Sequence, residues 1–159
     1  MRRLPLASLA AAALIAALLG GCATPVERPD PVMSWGVYDS PGEGAKLVLG
    51  EPETDYVRLM MVCRPHSGEV DVTIIGRLGD PAAVELRSGE VSHLYAGAGQ
   101  ADDETDGAFD IYLKAKTADP VLMRLADTGE LTVVFPDRRI VLPNAFSPAH
   151  DFLAICRPL

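Results

Sequence analysis

Hydrophobic and polar residues alternate over short stretches along most of this chain. The alternation is clearest in Val70-Asp71-Val72-Thr73-Ile74 and in Phe109-Asp110-Ile111-Tyr112-Leu113-Lys114. A period of two buries one face of a strand and wets the other, so 70–75 and 109–116 read as half-buried strands. Runs at 35–38, 46–49, 56–63, 83–86, 91–95, 131–135 and 139–142 have strand length and composition as well. Within 56–63, Leu59-Met60-Met61-Val62 is continuously apolar, which suits a central strand. Ser67-Gly68-Glu69-Val70, Ser88-Gly89-Glu90-Val91 and Thr128-Gly129-Glu130-Leu131 share one design. A small polar residue and Gly make a turn, and an aliphatic residue starts the next element. Their unequal spacing defines no repeat.

Helix signals are few. Asp119-Pro120 precedes Val121-Leu122-Met123-Arg124-Leu125-Ala126, which predicts a short helix capped by Asp119, opened by Pro120 and ended near Gly129. Ser147-Pro148 repeats the cue near the carboxyl end, where 152–156 would serve equally as a strand. The expectation is a mainly β fold: a small antiparallel β-sandwich or barrel with one or two short helices.

The first 21 residues depart from this pattern. Arg2 and Arg3 precede an apolar run from Leu4 to Leu19, followed by Gly20 and Gly21. A basic start, an apolar stretch of about 15 residues and small residues at its end make an export signal, too short to span a bilayer comfortably. Leu19-Gly20-Gly21-Cys22 resembles the lipobox of bacterial lipoproteins. The resemblance implies cleavage before Cys22 and attachment of lipid, palmitate among the acyl chains, to that cysteine. An ordinary signal cut near Ala23 would leave Cys22 bare. Two or more acyl chains hold a protein stably on a membrane. Residue 23 is Ala and not the Asp that resembles an inner-membrane retention signal, so the expected address is the outer membrane, facing the periplasm.

Three segments follow: a cleaved signal over 1–21, a lipidated and Pro-rich tether over 22–34, and one β-rich domain over 35–159. Pro25, Pro29 and Pro31 favour an extended tether at about 3.1 Å per residue, enough to hold the domain some 30–40 Å from the lipid. After Cys22 only Cys63 and Cys156 remain, an even pair in an exported chain, and they are expected to form one disulfide.

The full chain carries a net charge of −8, and loss of Arg2 and Arg3 leaves twelve basic residues against twenty-two acidic ones, or −10. Such a surface disfavours nucleic acid and anionic headgroups, both polyanions, and favours cationic partners. No G-x-S-x-G word, zinc-ligand spacing or cofactor motif is present, and His66, His93 and His150 are well separated. Trp35, Tyr38 and Tyr95 are expected in the core. Asp102-Asp103-Glu104-Thr105-Asp106-Gly107 resembles the first half of an EF-hand calcium loop, with Asp102, Glu104, Asp106 and Asp110 as candidate ligands. Position twelve is Leu113, where that loop needs a bidentate Glu. A solvated loop is therefore the expectation, with weak calcium binding as the alternative.

These features point to a lipid-anchored structural or binding module of the cell envelope, with no catalytic residue and no cofactor. In general build the chain also resembles lysozyme-inhibitor lipoproteins, which implies a cationic hydrolase as an alternative partner. An envelope enzyme with a dispersed site is the third reading.

Overall fold

A computed structural model describes residues 24–78, 82–101 and 108–159, with the backbone alone at 77–78. The described residues form two sheets and two helices. The larger sheet is ordered β2-β3-β4-β5-β9-β8 and the smaller β1-β11-β10-β6-β7. Their strands are β1 (Val26–Glu27), β2 (Ser34–Ser40), β3 (Gly44–Gly50), β4 (Val57–Cys63), β5 (Glu69–Leu78), β6 (Ala83–Ser88), β7 (Val91–Ala96), β8 (Ala98–Ala101), β9 (Ala108–Lys116), β10 (Thr132–Val134) and β11 (Arg139–Val141). Helix α1 spans Pro120–Thr128 and α2 spans Phe146–Cys156. Every pairing is antiparallel except β1 with β11. The two sheets do not join into a barrel, and the fold is a small β-sandwich with helices at its side.

Alternation sets what each strand buries. Ala45, Leu47 and Leu49 of β3, Leu59 and Met61 of β4, Val70, Val72 and Ile74 of β5, and Ile111 and Leu113 of β9 all face the core. Helix α2 lies against β2 and β3, and α1 against β6, β7 and α2. Phe152 and Leu153 of α2 are fully buried, as are Leu122 and Leu125 of α1. The apolar run in β4 does lie in a central strand, between β3 and β5. Cys63 at the end of β4 is bonded to Cys156 at the end of α2, 93 residues away.

Several expectations need correction. The stretch expected as a tether is in part folded onto the domain. Val26–Glu27 pairs with β11, the Arg139 amide donates to the Pro25 carbonyl at 3.0 Å, and Met33 is buried in the core. Proline spacing signalled an extended chain, and an extended chain is also what a sheet edge accepts. Of the two readings left open for the carboxyl end, the helix is the one that forms, because its apolar residues fall on one helical face against β2 and β3. That helix starts at Phe146, with Asn144 Oδ1 accepting the Phe146 amide at 3.0 Å; Ser147 and Pro148 lie inside its first turn. Tyr95 is buried and Trp35 packs against the core with its indole donating to the Pro143 carbonyl at 2.8 Å, but Tyr38 is 58% exposed. Strand β8 carries no sequence signal of its own; it continues β7 past Gly97 into the other sheet.

The three Ser/Thr-Gly-Glu words place Gly68, Gly89 and Gly129 at positive φ, but for different purposes. Gly89 closes the two-residue β6–β7 hairpin, whereas Gly129 ends α1. Its amide donates to the Leu125 carbonyl at 2.7 Å and its carbonyl accepts the Ala145 amide at 2.8 Å. A Cβ at Gly129 would collide with the backbone of Phe146, whereas one at Gly42, also at positive φ, meets open space. Gly129→Ala is therefore expected to lose about 2–4 kcal/mol of stability and Gly42→Ala only about 1–2, since the first adds a clash to the left-handed strain. Urea unfolding measures both; equal losses would refute the close approach.

Candidate functional site

The register of the larger sheet aligns its outward side chains in rows. One row crosses all six strands as Gly36, Val48, Met60, Thr73, Tyr112 and Ala98, and none of the six is charged. The next row runs Tyr38, Lys46, Val62, Asp71 and Lys114. An antiparallel sheet with one wet face normally places polar residues there. Here Val48, Met60 and Val62 are half-buried and Tyr112 is 41% exposed. The result is an apolar band with an aromatic ring at each side.

A hollow of about 690 Å³ lies on this face, lined by Val62, Thr73, Tyr112 and the β7–β8 corner at Ala96, Gly97 and Ala98. The corner exists because Gly97 marks the end of β6–β7 pairing, its amide donating to the Ala82 carbonyl at 3.0 Å. Beyond it the chain pairs with β9. A second hollow of about 420 Å³ lies where β7 passes β9, lined by Glu69, His93, Tyr95, Lys116 and Asp119. Asp71 and Lys114 border both, 2.7 Å apart as an ion pair. The hydrogen bond to Asp71, and then its charge, hold the Lys114 ammonium above its usual range.

In the second hollow, the His93 and Tyr95 rings meet with centres 4.6 Å apart and planes tilted by 52°. The Tyr95 hydroxyl donates to Asp119 Oδ2 at 3.0 Å, and the Lys116 amide donates to the same oxygen at 2.9 Å. Contrary to the expectation from sequence, the Asp119 side chain does not cap α1; it ties β7 to the end of β9. Burial pushes the Tyr95 hydroxyl far above the usual tyrosine range, and the Asp119 carboxylate adds to the shift by bond and charge. The arrangement can grip an apolar or aromatic group beside a charged rim.

The residues singled out from sequence are not brought together. The signal over 1–21, Cys22, and Asp102, Glu104 and Asp106 of the calcium-loop candidate lie outside the described residues. Asp110 Oδ1 accepts the Gly76 amide at 3.3 Å, and Leu113 points into the core, so the end of that loop is committed to β9. His66 stands in the turn after β4 with its Nδ1 3.2 Å from the Arg157 carbonyl, and His150 lies on α2 beside Phe146. No group of three metal-ligating side chains occurs among the described residues. Ser67 bonds within its own turn, and Ser88 is buried beside Thr128. The apolar band was missed; its signal was the unbroken apolar run of β4, which implies an unusual outward face once β4 is known to have one.

No protein-family model, no curated protein and no solved structure matches this chain.

Tyr95 is held neutral in the folded state, so the stability it brings is complete below the unfolded tyrosine value of about 10 and is lost as pH rises beyond it. Thermal melts across the alkaline range should show Tyr95→Phe with a shallower loss than the native chain. A parallel loss in both would separate Tyr95 from the alkaline transition.

Proposed function

We propose that this chain is a lipoprotein of the bacterial cell envelope, anchored through lipid on Cys22, and that it works as a binding module without catalysis of its own. The observation that carries the binding role is the uncharged outward row across the six-stranded sheet. Exposed apolar patches rimmed by polar groups commonly mark protein-interaction surfaces. The occupant we assign to it is a cationic envelope protein. An excess of ten acidic residues in the processed chain would steer such a partner toward this domain and slow the approach of polyanions. A cationic hydrolase such as a lysozyme meets that description, and an inhibition assay with purified enzyme tests this narrower form.

The general form is tested in membranes. A photo-reactive phenylalanine analogue replacing Tyr112 should cross-link one basic protein, and the yield should fall with added salt. The same analogue at Asp127, exposed on α1, should not. The double variant Met60→Thr/Val62→Thr puts a β-branched residue at both positions of the strand and should change stability by no more than about 1 kcal/mol while abolishing the adduct. Absence of an adduct, an acidic partner, or equal labelling from Asp127 would overturn the assignment.

A further inference from the structure

The folded domain begins so close to Cys22 that a lipid there would fix how the domain meets its membrane; the inference rests on that anchor. Only Ala23 and Thr24 separate Cys22 from Pro25. Pro25 is already secured, its carbonyl accepting the Arg139 amide at 3.0 Å. Glu27 is held by Arg58 at 2.6 Å and by Arg138 at 3.4 Å, and Met33 is buried. The tether is thus consumed by the fold almost as soon as it begins. Three residue steps reach at most about 10 Å. A lipid on Cys22 therefore cannot hold this domain tens of ångströms away; it brings the β1–β11 edge down to the headgroups.

The side chains at that edge fit the contact. Arg28 and Arg139 are exposed, and no ion pair holds either among the described residues. Val26, register partner of Arg139, is 42% exposed, and Val32, four residues after Arg28, is 55% exposed. Arginines at a headgroup layer bind lipid phosphate, and small apolar side chains next to them enter the interface. The hairpin between β2 and β3 stands away from this edge. Arg58, near the start of β4, meets Glu27, whereas that hairpin sits at the opposite end of β3, about 20 Å along the strand.

We infer that the β1–β11 edge, with Arg28, Arg139, Val26 and Val32, is a membrane-apposed surface seated on phospholipid headgroup phosphates, held there by the anchor against the overall negative charge of the chain. The test uses the full lipidated chain, with a fluorophore on an unnatural side chain at Val32 or at Glu43 in the β2–β3 hairpin. The chain is reconstituted in vesicles of phosphatidylethanolamine and phosphatidylglycerol that carry a headgroup nitroxide. Quenching at residue 32 should exceed that at residue 43 several-fold. It should drop when a flexible Gly/Ser spacer is inserted after Ala23. The double variant Arg28→Glu/Arg139→Glu should weaken it while the chain still floats with the vesicles. Mass analysis of the amino-terminal peptide and vesicle flotation read the anchor separately. A lipidated, floating chain quenched equally at both positions would overturn the apposed edge and leave the anchor standing. A chain without lipid at Cys22 would overturn both.

Discussion

The disulfide between Cys63 and Cys156 is the constraint on which the arrangement of the domain depends. Both cysteines are buried, and the bond joins the end of a central strand to the end of the last helix. Closing a loop of 93 residues removes about 4–5 kcal/mol of conformational freedom from the unfolded chain in the entropy model, a large part of a small domain's net stability. The bond also places a loop over the helix end. The His66 amide donates to the Ile155 carbonyl and the Gly68 amide to that of Cys156, both at 2.9 Å, so carbonyls left open at the end of α2 are satisfied. His66 adopts a φ of 61° to do this, a strained conformation for a residue with a side chain. With α2 held, its buried face covers β2 and β3, and α1 can pack between α2 and the β6–β7 hairpin.

Closing the core on one side of the larger sheet leaves the other side to water. That outward face is where the domain departs from ordinary alternation. Polar residues would satisfy solvent better than Val48, Met60, Val62 and Tyr112, so the apolar band has a cost in solubility and no return in core packing. The crossing at Gly97 adds relief to the same face: the strand that leaves the smaller sheet joins the larger one beside β9 and shapes the hollow there. The proposed binding role and the inferred seating on a membrane are compatible. The β1–β11 edge belongs to the smaller sheet and the apolar band to the larger, so one can be apposed while the other stays open to a partner.

Much of this was legible in the chain because it depends on local periodicity. Residues at 109–116 bury alternate side chains as their pattern requires. Asp119-Pro120 and Gly129 bracket α1, because Pro suits a first helical turn and Gly the left-handed cap. Elements without a pattern of their own were not legible. The two-residue β1 and the glycine-rich β8 are strands only because β11 and β9 offer partners. Tyr38 was expected inside because aromatic rings favour burial, yet register puts it beside Lys46 on the outward row, where its ring lies over Gly36.

By itself the sequence determined the β class, the helix at Asp119-Pro120, and the pairing of the two cysteines that remain after Cys22. Each follows from short-range spacing, or from having a single partner to choose. The tertiary structure alone decided which apolar residues of β4 face the core and which face water, since an unbroken run carries no phase until its neighbours set the register. It alone decided that the proline-rich stretch after Cys22 lies on the domain. Prolines hold a chain extended, and whether an extended chain stays in solvent or docks at a sheet edge depends on contacts with Arg58, Arg138 and Arg139, which lie 30 residues or more away in the chain.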